Sequence, residues 1–294
     1  MVGFDASILI LIALGFSIAI VTTMSGIGGG VFFVPIIMFI ESVPITVARE
    51  ISQMVILGTS LVGAITYLRQ KRVNLKVGGV AAACSVAGVL VCKFYLMFLS
   101  NEIVTLIFAV FLIIISFYFV APFLLQFWKK HTTRLATANI SAEAPADVSP
   151  EALAGAPTGV PQDSCIMGEM PAYTGKKWVL KTAPLFFGAG ILGALLGIGG
   201  GVIFVPVLNT VLDCPIHFCT ATSSFVIVFN STANVLVAGF RGQLDFLVGG
   251  SLILGALPGS YLGARYSQKV PKEVLKAILS AVLIMIGVIM LVQL

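Results

Sequence analysis

The chain has few charged residues. Lys, Arg, Asp and Glu together make up 10% of its 294 residues, whereas hydrophobic residues make up 59%. A soluble globular protein of this length needs more polar surface than that, and the mean hydropathy of +1.09 indicates a chain that lies in a lipid bilayer. The net charge of +5 does not indicate a nucleic-acid partner, because Lys and Arg cluster at the ends of apolar runs, where they orient membrane segments.

The residue patterns typical of enzymes are also missing. His131 and His217 stand alone. The sequence has no Ser-His-Asp catalytic pattern, no helical spacing of metal ligands and no phosphate-binding loop with Gly-Lys-Ser/Thr. Cys214, His217 and Cys219 lie close together, but their spacing matches no standard zinc site, and free cysteine usually packs as a small hydrophobic residue. We therefore expect no catalysis, no cofactor and no metal.

Acidic residues are scarce inside the apolar runs. Those near the ends of runs are Glu41, Glu50, Glu102, Asp213, Asp245 and Glu273. Because no carboxylate is clearly placed at the bilayer midplane, cation transport is disfavoured. The sequence does not identify a coupling ion.

What the sequence does contain is an internal repeat. Gly26-Ile27-Gly28-Gly29-Gly30 recurs 171 residues later as Gly197-Ile198-Gly199-Gly200-Gly201, and at this offset residues 26–102 and 197–273 share 21 identities. We call 26–30 the first glycine break and 197–201 the second. A duplicated membrane domain with helices interrupted by glycine is typical of secondary transporters, and the interruptions point to the substrate site.

Apolar runs divide each half into five segments. They lie at about 5–24, 31–40, 45–68, 75–99 and 103–127, and again at about 182–196, 202–212, 216–240, 245–267 and 274–293. The third to fifth segments of each half are long enough to cross a hydrocarbon core of about 30 Å, whereas the second reaches about half that depth. A short run of this kind is either an interfacial or buried core helix, or a half-helix that begins at the glycine break.

The polar, proline-rich stretch at 129–181 predicts a flexible linker to which we assign no chemistry. The predicted domains are therefore a first transmembrane repeat at 1–128, this linker, and a second transmembrane repeat at 182–294.

Basic residues predict the orientation of the two halves. In the first half Lys71 and its basic neighbours mark the connection between segments three and four, while Lys93 lies near the connection between segments four and five, which we place outside. In the second half the basic cluster around Lys269 marks the connection between segments four and five. The predicted fold is an all-α integral membrane protein made of two inverted five-segment repeats, with glycine-broken helices or re-entrant hairpins.

The glycine breaks predict an anion site. A helix that restarts after each break presents free N–H groups and a partial positive charge, and inversion would bring one such N-terminus from each half toward the midplane. The glycines assigned to this site are Gly28, Gly29, Gly30, Gly199, Gly200 and Gly201. The alternative is that they only allow helices to pack closely.

Polar residues on the third segment of each half extend this predicted site. Those assigned to substrate binding are Arg49, Ser52, Gln53, Ser223, Ser224 and Asn230. Neutral donors of this kind suit sulfur oxyanions, although interhelical hydrogen bonding explains any single Ser, Thr or Asn equally well. Arg49 either contacts the substrate, pairs with Glu50 or extends to the membrane surface.

The motif Gly-Ile-Gly-Gly-Gly-Val-x-Phe-Val-Pro, at Gly26 to Pro35 and at Gly197 to Pro206, resembles the TauE/SafE sulfite exporter family, also described as toluene sulfonate uptake permeases. The resemblance covers both halves but not the linker. It implies a carrier that moves sulfite, thiosulfate, sulfoacetate or other organosulfonates without ATP hydrolysis. The chain departs from the family at Arg49-Glu50, where the usual small residues are closer to Thr220-Ala221.

The combined expectation is a multi-pass protein of the cell membrane that transports small sulfur-containing anions by alternating access. Its expected partners are the anion and the lipid bilayer, and neither the coupling ion nor the oligomeric state is predicted. An anion channel on the same scaffold, and a membrane-embedded sensor or assembly protein, are the alternatives.

Overall fold

The computed structural model describes residues 2–25, 28–96, 99–116, 177–212, 214–266 and 287–288. These residues are overwhelmingly helical, and no strand occurs among them. Most of the predicted linker and most of the last apolar segment, 274–293, lie outside the described residues. Gly26, Ile27 and Lys269 also lie outside them.

Nine helices follow the predicted apolar segments within the described residues. They are α1 (Val2–Ser25), α2 (Gly30–Glu41), α3 (Ile45–Arg69), α4 (Leu75–Val91), α5 (Asn101–Ser116), α6 (Lys177–Leu195), α7 (Gly201–Val211), α8 (Ile216–Phe240) and α9 (Phe246–Tyr266). A π-helical turn, Cys92–Leu96, extends α4. Among these, α3, α4 with its π-helical turn, α6, α8 and α9 contain stretches long and apolar enough to cross a membrane.

The two short helices begin where the glycines end. The first residue of α2 is Gly30 and the first residue of α7 is Gly201, each preceded by a glycine in the left-handed conformation. At about 1.5 Å per residue these helices are roughly 16–18 Å long, which is about half of a hydrocarbon core. The prediction that each short segment starts as a helix directly after its glycine break is confirmed.

Helix directions follow from contacts along α4 and α8. Near the start of α4 the amide of Asn74 donates to Thr222, and in the middle Ser85 donates to Asn230. At its end, the carbonyl oxygen of Lys93 accepts from Arg241. Residue numbers rise together along both helices, so α4 and α8 run in parallel.

Helices α3 and α9 are also parallel. A Cβ on Gly249 would meet Met54, and a Cβ on Gly58 would meet Ile253. Further along, the hydroxyl of Ser260 donates to the carbonyl oxygen of Thr59 at 3.1 Å. Because α4 and α9 follow α3 and α8 through short connections, α3 and α8 run in opposite directions.

Glycines let α1 pack directly against α9. A Cβ on Gly255, Gly259 or Gly263 would overlap a carbonyl oxygen of α1, at Ile12, Phe16 and Ile20 respectively. Small residues allow two helix backbones to approach closely in this way. The contacts advance four residues at a time on both helices, so α1 and α9 are parallel.

The core surrounds the two glycine breaks. Val31 and Phe33 of α2 and the equivalent Val202 and Phe204 of α7 are all fully buried. Gly29, Gly30 and the whole of 197–201 are buried as well, as unpaired backbone groups within a membrane require.

Candidate functional site

The backbone at both breaks has a conformation that favours glycine. The φ angles are +88° at Gly28 and +82° at Gly29, and +72° at Gly199 and +81° at Gly200. Residues other than glycine rarely adopt such φ angles, because their Cβ would crowd the backbone. The glycines thus end one helix and allow the next to begin in a new direction.

The two breaks meet in the structure. A Cβ on Gly30 would lie 2.5 Å from the carbonyl oxygen of Gly197 and would also overlap Ile198. A Cβ on Gly28 would likewise lie 3.7 Å from the carbonyl oxygen of Ile198. Gly30 therefore allows the two breaks to pack closely, whereas Gly28 and Gly29 adopt the positive φ angles.

Backbone amides are available at the start of α2 and of α7. The first intrahelical hydrogen bonds run from Phe32 to Gly29 and from Ile203 to Gly200, both at 3.0 Å. The amides of Gly30 and Gly201 precede these bonds, as do those of the next residue in each helix. Such N–H groups carry the partial positive charge of a helix N-terminus.

Three side chains donate hydrogen bonds to carbonyl oxygens at the second break. The donors are Ser52 to Gly197 at 3.0 Å, Gln53 to Gly193 at 3.0 Å and Asn230 to Gly199 at 3.2 Å. All three side chains are almost fully buried. These predicted site residues therefore come together at the break. Ser52 and Asn230 provide partners for carbonyl oxygens where the helical turn is missing, whereas Gly193, near the end of α6, also accepts from the amides of Ile198 and Gly199.

Two serines connect these side chains across helices. Ser231 donates to Gln53 Oε1 at 3.0 Å, and Ser85 donates to Asn230 Oδ1 at 2.7 Å. The network formed by Ser52, Gln53, Ser85, Asn230 and Ser231, which we call the bracing network, ties α3, α4 and α8 to the break after α6. Ser231 lies on the predicted polar face of α8, but no sequence signal distinguishes Ser85 from an ordinary small residue of α4.

The other two polar residues predicted on α8 are also buried. Ser224 donates to the carbonyl oxygen of Thr220 in its own helix at 2.9 Å, and Ser223 is fully buried. Asn234, one turn beyond Asn230, is fully buried, and its Oδ1 has no partner among the described residues. Leaving such an oxygen without a donor costs about 1–3 kcal/mol, so this position would favour a water molecule or a guest that carries an O–H group.

Arg49 is buried and paired with Glu50. Its Nε lies 3.2 Å from Glu50 Oε1, and its Nη1 donates to the carbonyl oxygen of Leu195 at 3.4 Å. The interpretation that Arg49 pairs with Glu50 is confirmed, and the alternative that it extends to the membrane surface is wrong. With Arg49 only 4% exposed, removing its partner would leave a buried charge uncompensated.

Lys93 corrects the sequence-based placement of charge. The sequence places Lys93 near an outer connection and Glu50 near a segment end, but both are buried, at 3% and 2% exposure. Lys93 Nζ lies 2.5 and 2.6 Å from the two carboxylate oxygens of Glu50. The sequence signal that could have predicted this ion pair is a basic residue before the end of one apolar run together with an acidic residue early in another.

Arg72, one of the basic residues used to predict orientation, is also less exposed than expected. Its guanidinium lies 5.2 Å from the centre of the Tyr67 ring and donates to Gln70 Oε1 at 3.1 Å. Burial lowers the pKa of Arg72 from its ordinary value, although arginine stays charged in proteins. Its positive charge therefore still contributes to the orientation signal.

Comparison with known proteins agrees with this architecture. A family model described as "Sulfite exporter TauE/SafE" matches residues 11–290. The chain is 26% identical over 290 residues to "Probable membrane transporter protein YunE" of Bacillus subtilis, covering 96% of both proteins. Over 119 residues it is 33% identical to "Probable membrane transporter protein MamO" of Magnetospirillum gryphiswaldense, covering 38% of this chain and 19% of that protein. No solved structure matches.

The family match includes both halves of the chain and both glycine breaks. The listed relatives are named as membrane transporters, which agrees with the five helices long and apolar enough to cross a membrane. The protein is thus a multi-pass membrane transporter and not an enzyme. With nearly its whole length matched by the family model, the chain belongs to the TauE/SafE sulfite exporter family.

Proposed function

We propose that this protein is a secondary transporter of small sulfur-containing anions, such as sulfite, thiosulfate, sulfoacetate or other organosulfonates, and that it works by alternating access. The anion would bind where the two glycine breaks meet. The observation that carries this proposal is the direct contact of Gly30 with Gly197 and Ile198, residues from breaks far apart in sequence. Secondary transporters commonly bind their substrate at such an interface between repeats.

Helix directions support an inverted arrangement of the two halves. Helix α3 and its repeat equivalent α8 run in opposite directions, as the bonds of α8 to α4 and of α9 to α3 indicate. Equivalent segments that cross in opposite directions are the property expected of an inverted-topology repeat.

Contacts that exchange between the halves support the same arrangement. A Cβ on Gly28 would meet Ile227 at 3.0 Å, and a Cβ on Gly199, its equivalent, would meet Ile56, the equivalent of Ile227, at 3.2 Å. Likewise, a Cβ on Gly88 would overlap the carbonyl of Phe187, and one on Gly259 would overlap that of Phe16. Each half thus touches the other through equivalent positions, which is the geometry of a pseudo-two-fold axis.

Pseudo-symmetry offers a simple route to alternating access. If the halves make equivalent contacts, exchanging their conformations converts a site open to one side into a site open to the other. The anion would remain near the breaks while the surrounding helices rock.

The chemistry around the breaks suits an anion. The amides of the first turns of α2 and α7, next to Gly28, Gly29, Gly30, Gly199, Gly200 and Gly201, are donors without a full countercharge. Ser52, Gln53 and Asn230 keep the second break in its conformation, and Ser223, Ser224 and Arg49 lie on the same two helices, α3 and α8. The family description as a sulfite exporter directs this anion preference to sulfur oxyanions.

Flux measured in proteoliposomes tests the proposal. The purified protein should take up at least one of radiolabelled sulfite, thiosulfate and sulfoacetate, with saturation and counterflow. Saturable counterflow separates a carrier from a channel. Absence of uptake for every sulfur anion would refute the proposed substrate class, and flux without saturation or counterflow would refute the carrier mechanism.

A matched pair of variants on α3 tests the site. Gln53→Met removes the side chain that donates to Gly193 and accepts from Ser231 while keeping its approximate size, and we expect flux to fall at least about tenfold as the break loosens. Thr66→Val is the control, because among the described residues the Thr66 hydroxyl bonds to Val62 in its own helix and to no other helix. Equal flux in both variants would argue against a role for the bracing network.

A further inference from the structure

A buried cluster of charged side chains in the first half has no equivalent at the matching positions of the second half. Arg49, Glu50 and Lys93 are 4%, 2% and 3% exposed, and Glu50 bonds to both basic residues. At the same offset of 171 residues the second half has Thr220, Ala221 and Ala264. The pseudo-symmetric contacts of the two halves therefore carry an asymmetric distribution of charge.

This cluster lies against the second glycine break. A Cβ on Gly197 would approach Arg49 Cβ at 2.5 Å and Arg49 Cα at 2.7 Å, so the break and Arg49 are in direct backbone contact. The neighbouring Ser52 donates to Gly197 from the next turn of α3. Any ligand held at this break would be close to the charge of Arg49.

The guanidinium of Arg49 retains unused donors. Its Nε is taken by Glu50 and its Nη1 by Leu195, whereas its Nη2 has no acceptor among the residues that the structure describes. An arginine has five N–H donors and binds oxyanions with two parallel hydrogen bonds. A buried guanidinium with free donors, fixed by its other nitrogens, is suited to hold one oxyanion.

We propose that Glu50 and Lys93 are positioning residues which hold Arg49 at the second break and set the charge of the cluster at +1, so that the site selects monoanions over dianions. This inference rests on the proposed function and narrows its substrates by charge: hydrogen sulfite and simple organosulfonates are favoured over thiosulfate and sulfoacetate, which are dianions at neutral pH. Lys93 anchors the Glu50 carboxylate through both oxygens, and Glu50 in turn fixes Arg49 Nε.

The net charge of the cluster determines which anion it balances. Two basic groups and one carboxylate leave one positive charge, and leaving a charge unpaired in a buried site costs several kcal/mol. A monoanion brings the total to zero, whereas a dianion leaves one negative charge. The N-terminus of α7 attracts either anion, but it carries only about half an elementary charge, so the full charges of the cluster decide between them.

One further cation adjoins the cluster without belonging to it. Arg241 donates to the backbone carbonyl of Lys93 at 3.0 Å, and its guanidinium lies 6.0 Å from the centre of the Phe94 ring. Its side chain is exposed, so its charge is screened far more than the charges of the buried residues. The three charges of the buried cluster, which are joined by direct contacts, therefore dominate the local field.

Ligand-induced stabilisation measures the charge preference without requiring transport. The full-length protein in detergent is melted with methanesulfonate, a monoanion, or with sulfate, a dianion, at matched ionic strength, and the apparent Kd of each is obtained from the rise in Tm. The wild-type protein should bind methanesulfonate more tightly. Tighter binding of sulfate, or stabilisation by neither anion, would overturn the inference.

Two variants change the charge of the cluster in opposite directions. Glu50→Gln raises the cluster to +2 and should shift the ratio of the two Kd values toward sulfate by about tenfold or more. Lys93→Met lowers the cluster to zero and should weaken binding of both anions by a similar factor. Glu102→Gln and Lys76→Met make the same charge changes at exposed positions and should leave both Kd values unchanged.

The double variant Glu50→Gln/Lys93→Met restores the charge of +1 without the ion pair. It should regain the preference for methanesulfonate, and it remains informative if either single variant fails to fold. A double variant that prefers sulfate, or single variants that keep the wild-type ratio, would overturn the inference. Uptake by the wild-type protein in proteoliposomes, measured in parallel, separates loss of this charge rule from failure of the transport proposal itself.

Discussion

Replacing Gly30 with alanine tests the contact between the two glycine breaks on which the site depends. Gly30 is the first residue of α2 and has no positive φ angle, so alanine meets no backbone strain there. Helix propensity alone would favour Gly30→Ala by up to about 1 kcal/mol. Any loss of stability must therefore come from the atoms that the new methyl group meets.

The structure gives the size of that effect. The methyl carbon would lie 2.5 Å from the carbonyl oxygen of Gly197 and 2.7 Å from Ile56 Cδ1. The first distance is about 1 Å shorter than an ordinary contact, and a backbone carbonyl cannot rotate away as the end of Ile56 can. Overpacking of this kind costs about 1–3 kcal/mol, which corresponds to a drop in Tm of about 2–4 °C for each kcal/mol.

The assay compares Gly30→Ala with Gly79→Ala. Gly79 lies in α4, is exposed and has no atom within 4 Å of an added Cβ, so its replacement should leave Tm unchanged or slightly raised. Thermal unfolding in detergent and anion flux in proteoliposomes are measured for both. We expect Gly30→Ala to lower both quantities. If Gly30→Ala matches Gly79→Ala in stability and flux, the breaks do not touch as described and the reasoning fails.

Two further predictions concern the network and the orientation. Asn230→Leu removes the bonds to Gly199 and Ser85 and should destabilise the protein by about 2–4 kcal/mol. Thr59→Val, at the equivalent position of the first half, removes a hydroxyl that bonds within its own helix and should cost less than about 1.5 kcal/mol. Chemical denaturation of both variants measures the two losses of stability, and equal losses would contradict the prediction. Cysteines introduced at Lys71 and at Lys269 should both react with a membrane-impermeant reagent from the cytoplasmic side, because the basic residues of the two halves mark cytoplasmic connections; labelling from opposite sides would exclude the inverted repeat.

Several parts of the fold were predictable from local sequence. Glycine triplets interrupt a helix wherever they occur, because their backbone readily adopts positive φ angles, and Gly29 and Gly200 do so immediately before α2 and α7. The bounds of an apolar run can be read directly from the sequence, and the predicted starts of α3 and α8 agree with the structure. Helix α6 begins at Lys177, earlier than the predicted apolar run at about 182–196. Trp178 and the apolar residues after it allow the helix to include both Lys177 and Lys181.

The sequence by itself therefore determined the class of protein, the duplication and the positions of both breaks, since these depend on composition and on residues near one another in the chain. The tertiary structure decided which side chains meet. Lys93 and Glu50 form a buried pair, and Ser85 reaches Asn230, because α3, α4 and α8 pack side by side. The direction and neighbours of a side chain depend on that packing, and the spacing of residues within one helix does not predict contacts between helices.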